Sequence, residues 1–326
     1  MSEQVHRSCC GLLFDAISID MEAAARQIRE HPSLWRAIPS GNWAQSYHFC
    51  EPEDFPELTA KYILVLDALN FCFWTAPEYE YRHLAGALKK QAQTHPEWFA
   101  AESLARLSQE DLTQVLLSIY EQDFPQGMES FLPEFFAQME ERSRLVREVG
   151  LQLLRKWDGQ CLNLIRAAKG SAVVLVDLVL ESFPGFRDYA VYQGKQIAFH
   201  KRAQIFVGDV WGAFHGHELG RLEDLDRLTC FADYRVPQLL RSLGILKYSA
   251  QLSELVDSKT VIAAGSSFEV QIRAATVVAV ERLRELLALE FGIKLSSVEL
   301  DWVLWERGES SLGTLAPHHR TLTMFY

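Results

Sequence analysis

The sequence lacks any apolar run of the roughly 18–20 residues that a membrane-crossing helix needs, so insertion of a helix into a bilayer is not expected. Spacings that hold metals or disulfides are also missing. The six cysteines, Cys9, Cys10, Cys50, Cys72, Cys161 and Cys230, form no CxxC pair and no zinc-type arrangement, and are read as small buried side chains. HExxH is absent, and the HGHE stretch from His215 to Glu218 sets two histidines one residue apart, off any common helical face; no metal and no cofactor are expected. Positive charge is scarce, with 32 Lys and Arg against 43 Asp and Glu and a net charge of −11. A phosphate backbone needs a basic stripe to displace its counterions, so a stable nucleic-acid partner is not expected; a small anionic ligand in a locally basic pocket is compatible. There is no 20–50-residue repeat, low-complexity tract or long Gly/Ser linker, which points to one domain over residues 1–326. The start, MSEQVHRSCCGLLFDAI, has an acid where a signal peptide stays apolar, so a cytoplasmic protein is expected.

What is present is an ordinary globular composition, 48% hydrophobic and 23% charged, sufficient for a substantial core. Helical periodicity dominates. MEAAARQIREH, YRHLAGALKKQA, EDLTQVLLSIYEQ, RSRLVREVGLQLLRKW and NLIRAAKG all space apolar residues by three and four, giving a mainly α fold. Ser266 with Glu269 and Ser296 with Glu299 predict capped helix starts near the C-terminus. KYILVLDALNFCFW is nearly all apolar, and a buried strand and a buried helix fit it equally. YAVYQGKQIAF alternates around Gly194 as a short hairpin does, a small β element before helical spacing resumes in HKRAQIFVGDVWGAF.

Four segments hold polar groups in unusual company. In FADYRVPQLL, Asp233 stands just ahead of Pro237, and the plainer reading is a first-turn acid favoured by the helix dipole. The functional alternative is a carboxylate flanked by Phe231 and Tyr234, with Arg235 free to pair with an anion. In HKRAQIFVGDVW, Lys201 and Asp209 fall about two helical turns apart and share a face, which is solvated in most such helices. LDALNFCFW buries Asp67 and Asn70 among Phe71, Phe73 and Trp74; polar groups there need partners, and the aromatics serve either as core or as a stacking platform. Asp301, Trp302 and Trp305 precede the cluster His318, His319 and Arg320, and the closing MFY predicts that this end packs into the body, where the cluster can meet a phosphate.

NFCFW, GKQIAFHKRAQI, FADYRVPQLL, ELDWVLWE and HHRTLTMFY occur in the order found in the queuosine salvage proteins, and the chain from about residue 50 onward resembles that family. FADYRVPQ and KRAQ are the most specific strings; residues 1–50 match no motif and are read only as a helical N-terminal region. The resemblance implies a compact helical fold similar to helix-hairpin-helix DNA glycosylases. It also implies hydrolysis of the N-glycosidic bond of queuosine 5′-monophosphate, releasing queuine for tRNA modification. Asp233 then reads as the catalytic carboxylate and Lys201 as its neighbour, which overrides the plain helix-cap reading. A ribosyl C–N cleavage builds positive charge on the sugar, and a carboxylate stabilises it. By residue type, Phe71, Trp74 and Trp302 suit the base, Asp209 or Asp67 its edge or amine, and Lys201, Arg235, His319 and Arg320 the phosphate, with Asn70, Phe231 and Tyr234 as further substrate-binding candidates. Two rivals are weighed against this reading: a non-enzymatic RNA-binding module, and a metal-dependent nucleotide hydrolase.

Overall fold

The computed structural model of the chain describes residues 2–36, 43, 47–75, 79–123, 138–311 and 313–326. Its first part runs α1 (Ser2–Cys10), β1 (Ile17–Ile19), α2 (Met21–Glu30), α3 (Pro56–Leu69), α4 (Tyr81–Thr94), α5 (Ala101–Ala105) and α6 (Gln109–Asp123). Then come α7 (Met139–Lys156), α8 (Cys161–Ala167), α9 (Ala172–Ser182), the strands β2 (Tyr189–Tyr192) and β3 (Lys195–Ala198), and α10 (Lys201–Ala213). The last part holds α11 (Arg235–Ser242), β4 (Leu246–Tyr248), α12 (Ala250–Asp257), α13 (Ser267–Phe291) and α14 (Ser297–Ser310). The architecture is mainly helical, as the periodicity predicts, and no described helix is long and apolar enough to cross a membrane.

The ambiguous apolar stretch is a helix. Residues 59 to 69 of α3 are buried without a break, so no polar face exists for periodicity to detect. Pro56 supplies its first turn, where a missing N–H is harmless. The expected hairpin forms with Tyr189 opposite Ala198 and Tyr192 opposite Lys195. Gln193 and Gly194 both have positive φ, 51° and 73°, the turn that matches strand twist in two-residue hairpins. Ser296 and Glu299 form a reciprocal capping box. Ser266 also caps its helix, but Glu269 reaches the N–H of Gly265 instead, because its carboxylate also turns toward Arg273, at 3.6 Å. The pairing of β1 with β4 was not foreseen; each strand is three residues long, too short for an alternation to register.

Two large apolar cores, with a small third cluster of Phe71, Cys72 and Leu145, fill the described part of the molecule. One gathers α3, α4, α7, α9 and α10; the other gathers α1, α11 and α13. The stretch around Asp233 threads between them, with Phe231 and Tyr234 in the first core and Ala232 and Val236 in the second. α14 does the same through Val298 on one side and Leu300 and Leu304 on the other. The seam between the cores is where polar side chains gather.

Helices α5 and α7 cross at Gly150, where an added Cβ would lie 2.3 Å from the backbone nitrogen of Ala105 and 2.6 Å from the carbonyl oxygen of Ala101. Backbone cannot step aside as a flexible side chain can. Gly150→Ala is therefore expected to destabilise by about 1–3 kcal/mol or more through overpacking, read as a lowered urea midpoint at unchanged slope. Wild-type stability in this variant would show that the two helices separate without cost.

Candidate active site

The C-terminal end of α3 leaves carbonyl oxygens without helical partners and carries the negative end of the helix dipole. Three buried cations meet it. Arg202 donates to the carbonyl of Ala68 at 2.6 Å, Arg142 to those of Leu69 and Phe71 at 2.7 Å each, and Lys201 Nζ to that of Asn70 at 2.9 Å. The Asn70 side chain adds a longer contact to Lys201 Nζ, 3.3 Å. Lys201 is thus held by an uncharged group, and burial pushes its ammonium down to about 8, opposed most strongly by the nearby charge of Asp233. Asp67, one turn back on α3, is fully buried and makes no well-formed hydrogen bond among the described residues, Asn70 being a weak partner, and burial drives the Asp67 carboxyl well above the usual range.

Asp233 shows why the helix-cap and functional readings do not compete. Its Oδ1 accepts from the N–H groups of Arg235 and Val236, at 2.8 and 3.0 Å, satisfying the free donors that open α11. Among the described residues no hydrogen bond engages Oδ2, and the side chain lines a cleft. Lys201 and Asp209 line it as well, on the common face of α10 that their spacing predicts. Asp301 of α14 joins them, its Oδ1 accepting from the Phe231 N–H at 2.8 Å.

The cleft encloses about 970 Å³ including its open mouth. Its walls are aromatic: Trp302 packs against Trp211 at 5.5 Å, Trp305 stands edge-on to Tyr81 at 5.5 Å, and Tyr234 stacks on His318 at 4.5 Å. Gly212 makes one wall possible, since a Cβ there would lie 2.9 Å from both Trp302 and Trp43. Glu80, Glu306 and Glu309 also line the cleft, and Arg235 is engaged by Glu309 at 2.6 Å and faces Glu80 at 3.6 Å. Burial pushes Asp209 up to about 7, against a hydrogen bond from Trp43 and the charge of Lys201. Burial likewise raises Asp301 well above the ordinary carboxylate range, reinforced by Asp233. The site therefore combines a held carboxylate, a buried ammonium and carboxyl groups that burial biases toward the protonated form.

Residues 50–326 match the family described as Queuosine salvage protein. The chain is 44% identical over 306 residues to a Dictyostelium discoideum protein named queuosine 5′-phosphate N-glycosylase/hydrolase, covering 92% of this chain and 88% of that one. A Sphaerobacter thermophilus protein of the same name is 40% identical over 321 residues, covering 95% and 93%. One from Mus musculus is 33% identical, covering 93% and 91%. The chain belongs to the queuosine salvage protein family.

For this family member the cleft brings together Asp233, Lys201, Asn70, Phe71, Asp209, Phe231, Tyr234, Arg235 and Trp302 from among the residues singled out in the sequence. It does not gather Trp74, His319 or Arg320. Trp74 donates to the carbonyl of Thr321 and lies under Arg320, 5.4 Å from ring centre to guanidinium. His319 is buried 3.2 Å from the Tyr326 hydroxyl, and burial pushes it down to about 3, leaving it uncharged beside any anion at neutral pH. Phe71 reaches the cleft, but its ring is fully buried between Arg142 at 4.1 Å and Arg202 at 5.4 Å, supporting the Asn70 turn. Tyr326 itself lines the cleft and is buried, as MFY foretold. His215, His217 and Glu218 of HGHE are exposed, and among the described residues no group of three or more His, Cys, Asp and Glu converges on a metal position.

Several cleft residues escaped the sequence reading: Trp43, Tyr47, His48, Glu80 and Tyr81. Trp305 and Asp301, singled out in the sequence beside Trp302, line the cleft as well, and the three-residue spacing of the two tryptophans puts them on one helix face. Glu80 and Tyr81 open an ordinary amphipathic helix, and nothing in their local sequence marks them.

Proposed function

We propose that this chain hydrolyses the N-glycosidic bond of queuosine 5′-monophosphate and releases queuine, with Asp233 as catalytic carboxylate and Lys201 as its charged neighbour. The observation that carries this reading is Asp233: one oxygen is fixed by two backbone donors, and the other, with no hydrogen-bond partner among the described residues, belongs to a side chain lining an aromatic cleft with a buried ammonium. As the bond between C1′ and the base nitrogen breaks, its electron pair leaves with the base and the sugar gains oxocarbenium character. The Asp233 carboxylate stabilises that cation, orients the attacking water and takes its proton. Queuine has carbon where guanine has N7, so protonation of the leaving base there is not available. A protonated Asp301 or Asp209 donating to the base carbonyl would disperse the leaving charge, and both are biased toward the protonated form by burial. Trp302 and Tyr234 offer flat surfaces for the base, and Lys201 is the lining cation offered to the phosphate, because Arg235, expected to be free for an anion, is already held by Glu309 and faces Glu80. The same reading includes a single domain of the helix-hairpin-helix DNA glycosylase kind, action in the cytoplasm without metal, and no lasting nucleic-acid partner.

Queuine release from queuosine 5′-monophosphate, followed by chromatography in EDTA, tests the proposal. Undiminished release in the chelator supports it; no release with or without EDTA sinks it, and release abolished by EDTA and restored by a metal favours the metal-dependent hydrolase. The pH profile adds a second check. Lys201 loses its proton above about pH 8, so kcat/KM is expected to fall there, approaching tenfold per pH unit. Stability should move oppositely at this group. Its folded value lies below the ordinary 10.5, so between those limits the unfolded chain binds the extra proton and stability rises with pH. An alkaline limb that tracks loss of folded protein would refute the assignment to Lys201.

A further inference from the structure

Tyr81 opens α4 and lines the cleft, its hydroxyl 2.9 Å from Nε2 of His48. On the far side of the same imidazole, Nδ1 lies 2.6 Å from the carbonyl oxygen of Trp43. A carbonyl oxygen only accepts, so Nδ1 must carry the ring proton. Burial keeps His48 uncharged, pushing it down to about 4, so the ring has that one proton and Nε2 is a bare acceptor. The Tyr81 O–H is therefore committed to Nε2, and its oxygen has only lone pairs left for a ligand. His48 is held in place by stacking on Trp43, 4.2 Å between ring centres, and by the edge contact of Tyr47 at 4.6 Å.

We infer that the Trp43–His48 relay makes Tyr81 an acceptor-only contact, a specificity-determining residue that receives an N–H donor of the ligand's base and turns the phosphate away. This rests on reading the cleft as a nucleotide site. A phosphate dianion brings only acceptor oxygens, so it gains nothing at Tyr81 and is repelled by the carboxylate of the adjoining Glu80; a 7-deazapurine base with an amine arm brings several N–H donors. The ligand then lies with its base toward Tyr81 and its phosphate toward the opposite part of the cleft.

The test measures binding of the two products separately, by calorimetry, to the wild type and to Tyr81→Phe, which keeps the ring and removes the oxygen. Loss of one neutral hydrogen bond predicts that queuine binding weakens by up to about tenfold while ribose 5-phosphate binding stays within about twofold. Weakening of ribose 5-phosphate instead, equal weakening of both, or no change in either overturns the inference. A wild type that binds neither product refutes the nucleotide reading on which the inference stands. The relay itself is read without ligand by nitrogen-15 NMR of labelled histidine, with His48→Gln for assignment. A protonated Nδ1 and bare Nε2 support it. The opposite tautomer would make Tyr81 a donor to the cleft and overturn it.

Discussion

Asp233→Asn is expected to lower kcat for queuine release by about 10³-fold or more while the protein stays folded, a loss of about 4 kcal/mol in transition-state stabilisation. The amide is nearly isosteric, and its oxygen can still accept from the Arg235 and Val236 N–H groups, so the start of α11 is preserved. What disappears is the negative charge facing the developing oxocarbenium and the base that takes the proton of water. Asp233→Ala separates the two duties further: it should show the same loss of activity plus about 1 kcal/mol of destabilisation from the missing cap. Single-turnover rates and urea midpoints for the three proteins decide the matter. Full activity in Asp233→Asn would return this residue to a purely structural role, and the acid would have to be sought in Asp209 or Asp301.

Arg273→Met should be among the most destabilising single changes in the chain, by about 3–5 kcal/mol, because it leaves a buried carboxylate without its partner. Arg273 grips both oxygens of Asp188, at 2.9 and 2.5 Å, and both residues are nearly inaccessible. Its Nε donates to the carbonyl of Ala232, directly before Asp233, and its guanidinium lies 3.9 Å from the Phe199 ring centre and 4.3 Å from that of Tyr326. Asp188 in turn accepts from the backbone N–H of Lys201 at 3.3 Å. One ion pair therefore ties the backbone under the carboxylate to the backbone under the ammonium. Pairing Arg273→Met with Asp188→Asn removes the charge orphaned at Asp188, leaving that of Glu269 at 3.6 Å, and should recover part of the loss, which equilibrium denaturation of both variants will reveal. Equal stabilities for the single and double variants would mean that the guanidinium acts through its packing and its bond to Ala232 alone.

Much of the helical order was legible because it is written in local spacing: α2, α4, α6, α7 and α8 each carry apolar residues at three- and four-residue spacing, and α14 carries its reciprocal cap. The hairpin was legible for the same reason, since alternation and a left-handed Gly194 are properties of neighbouring residues. α3 was not decided locally, because a segment buried on every side has no stripe, and only the elements packed around it select a helix.

The candidate site divides along the same line. Residue order alone determined that Lys201 and Asp209 share a face, that Asp233 stands at a helix start, and that the strings around them resemble one family. Only the tertiary structure decided that these groups meet in one cleft with Asp301, Glu80 and Tyr81, and that His319 and Arg320 lie outside it. It also decided protonation. A carboxyl's proton affinity is set by how much water and charge surround it, so burial raises Asp209 and Asp301 although nothing in their sequence neighbours distinguishes them from exposed acids.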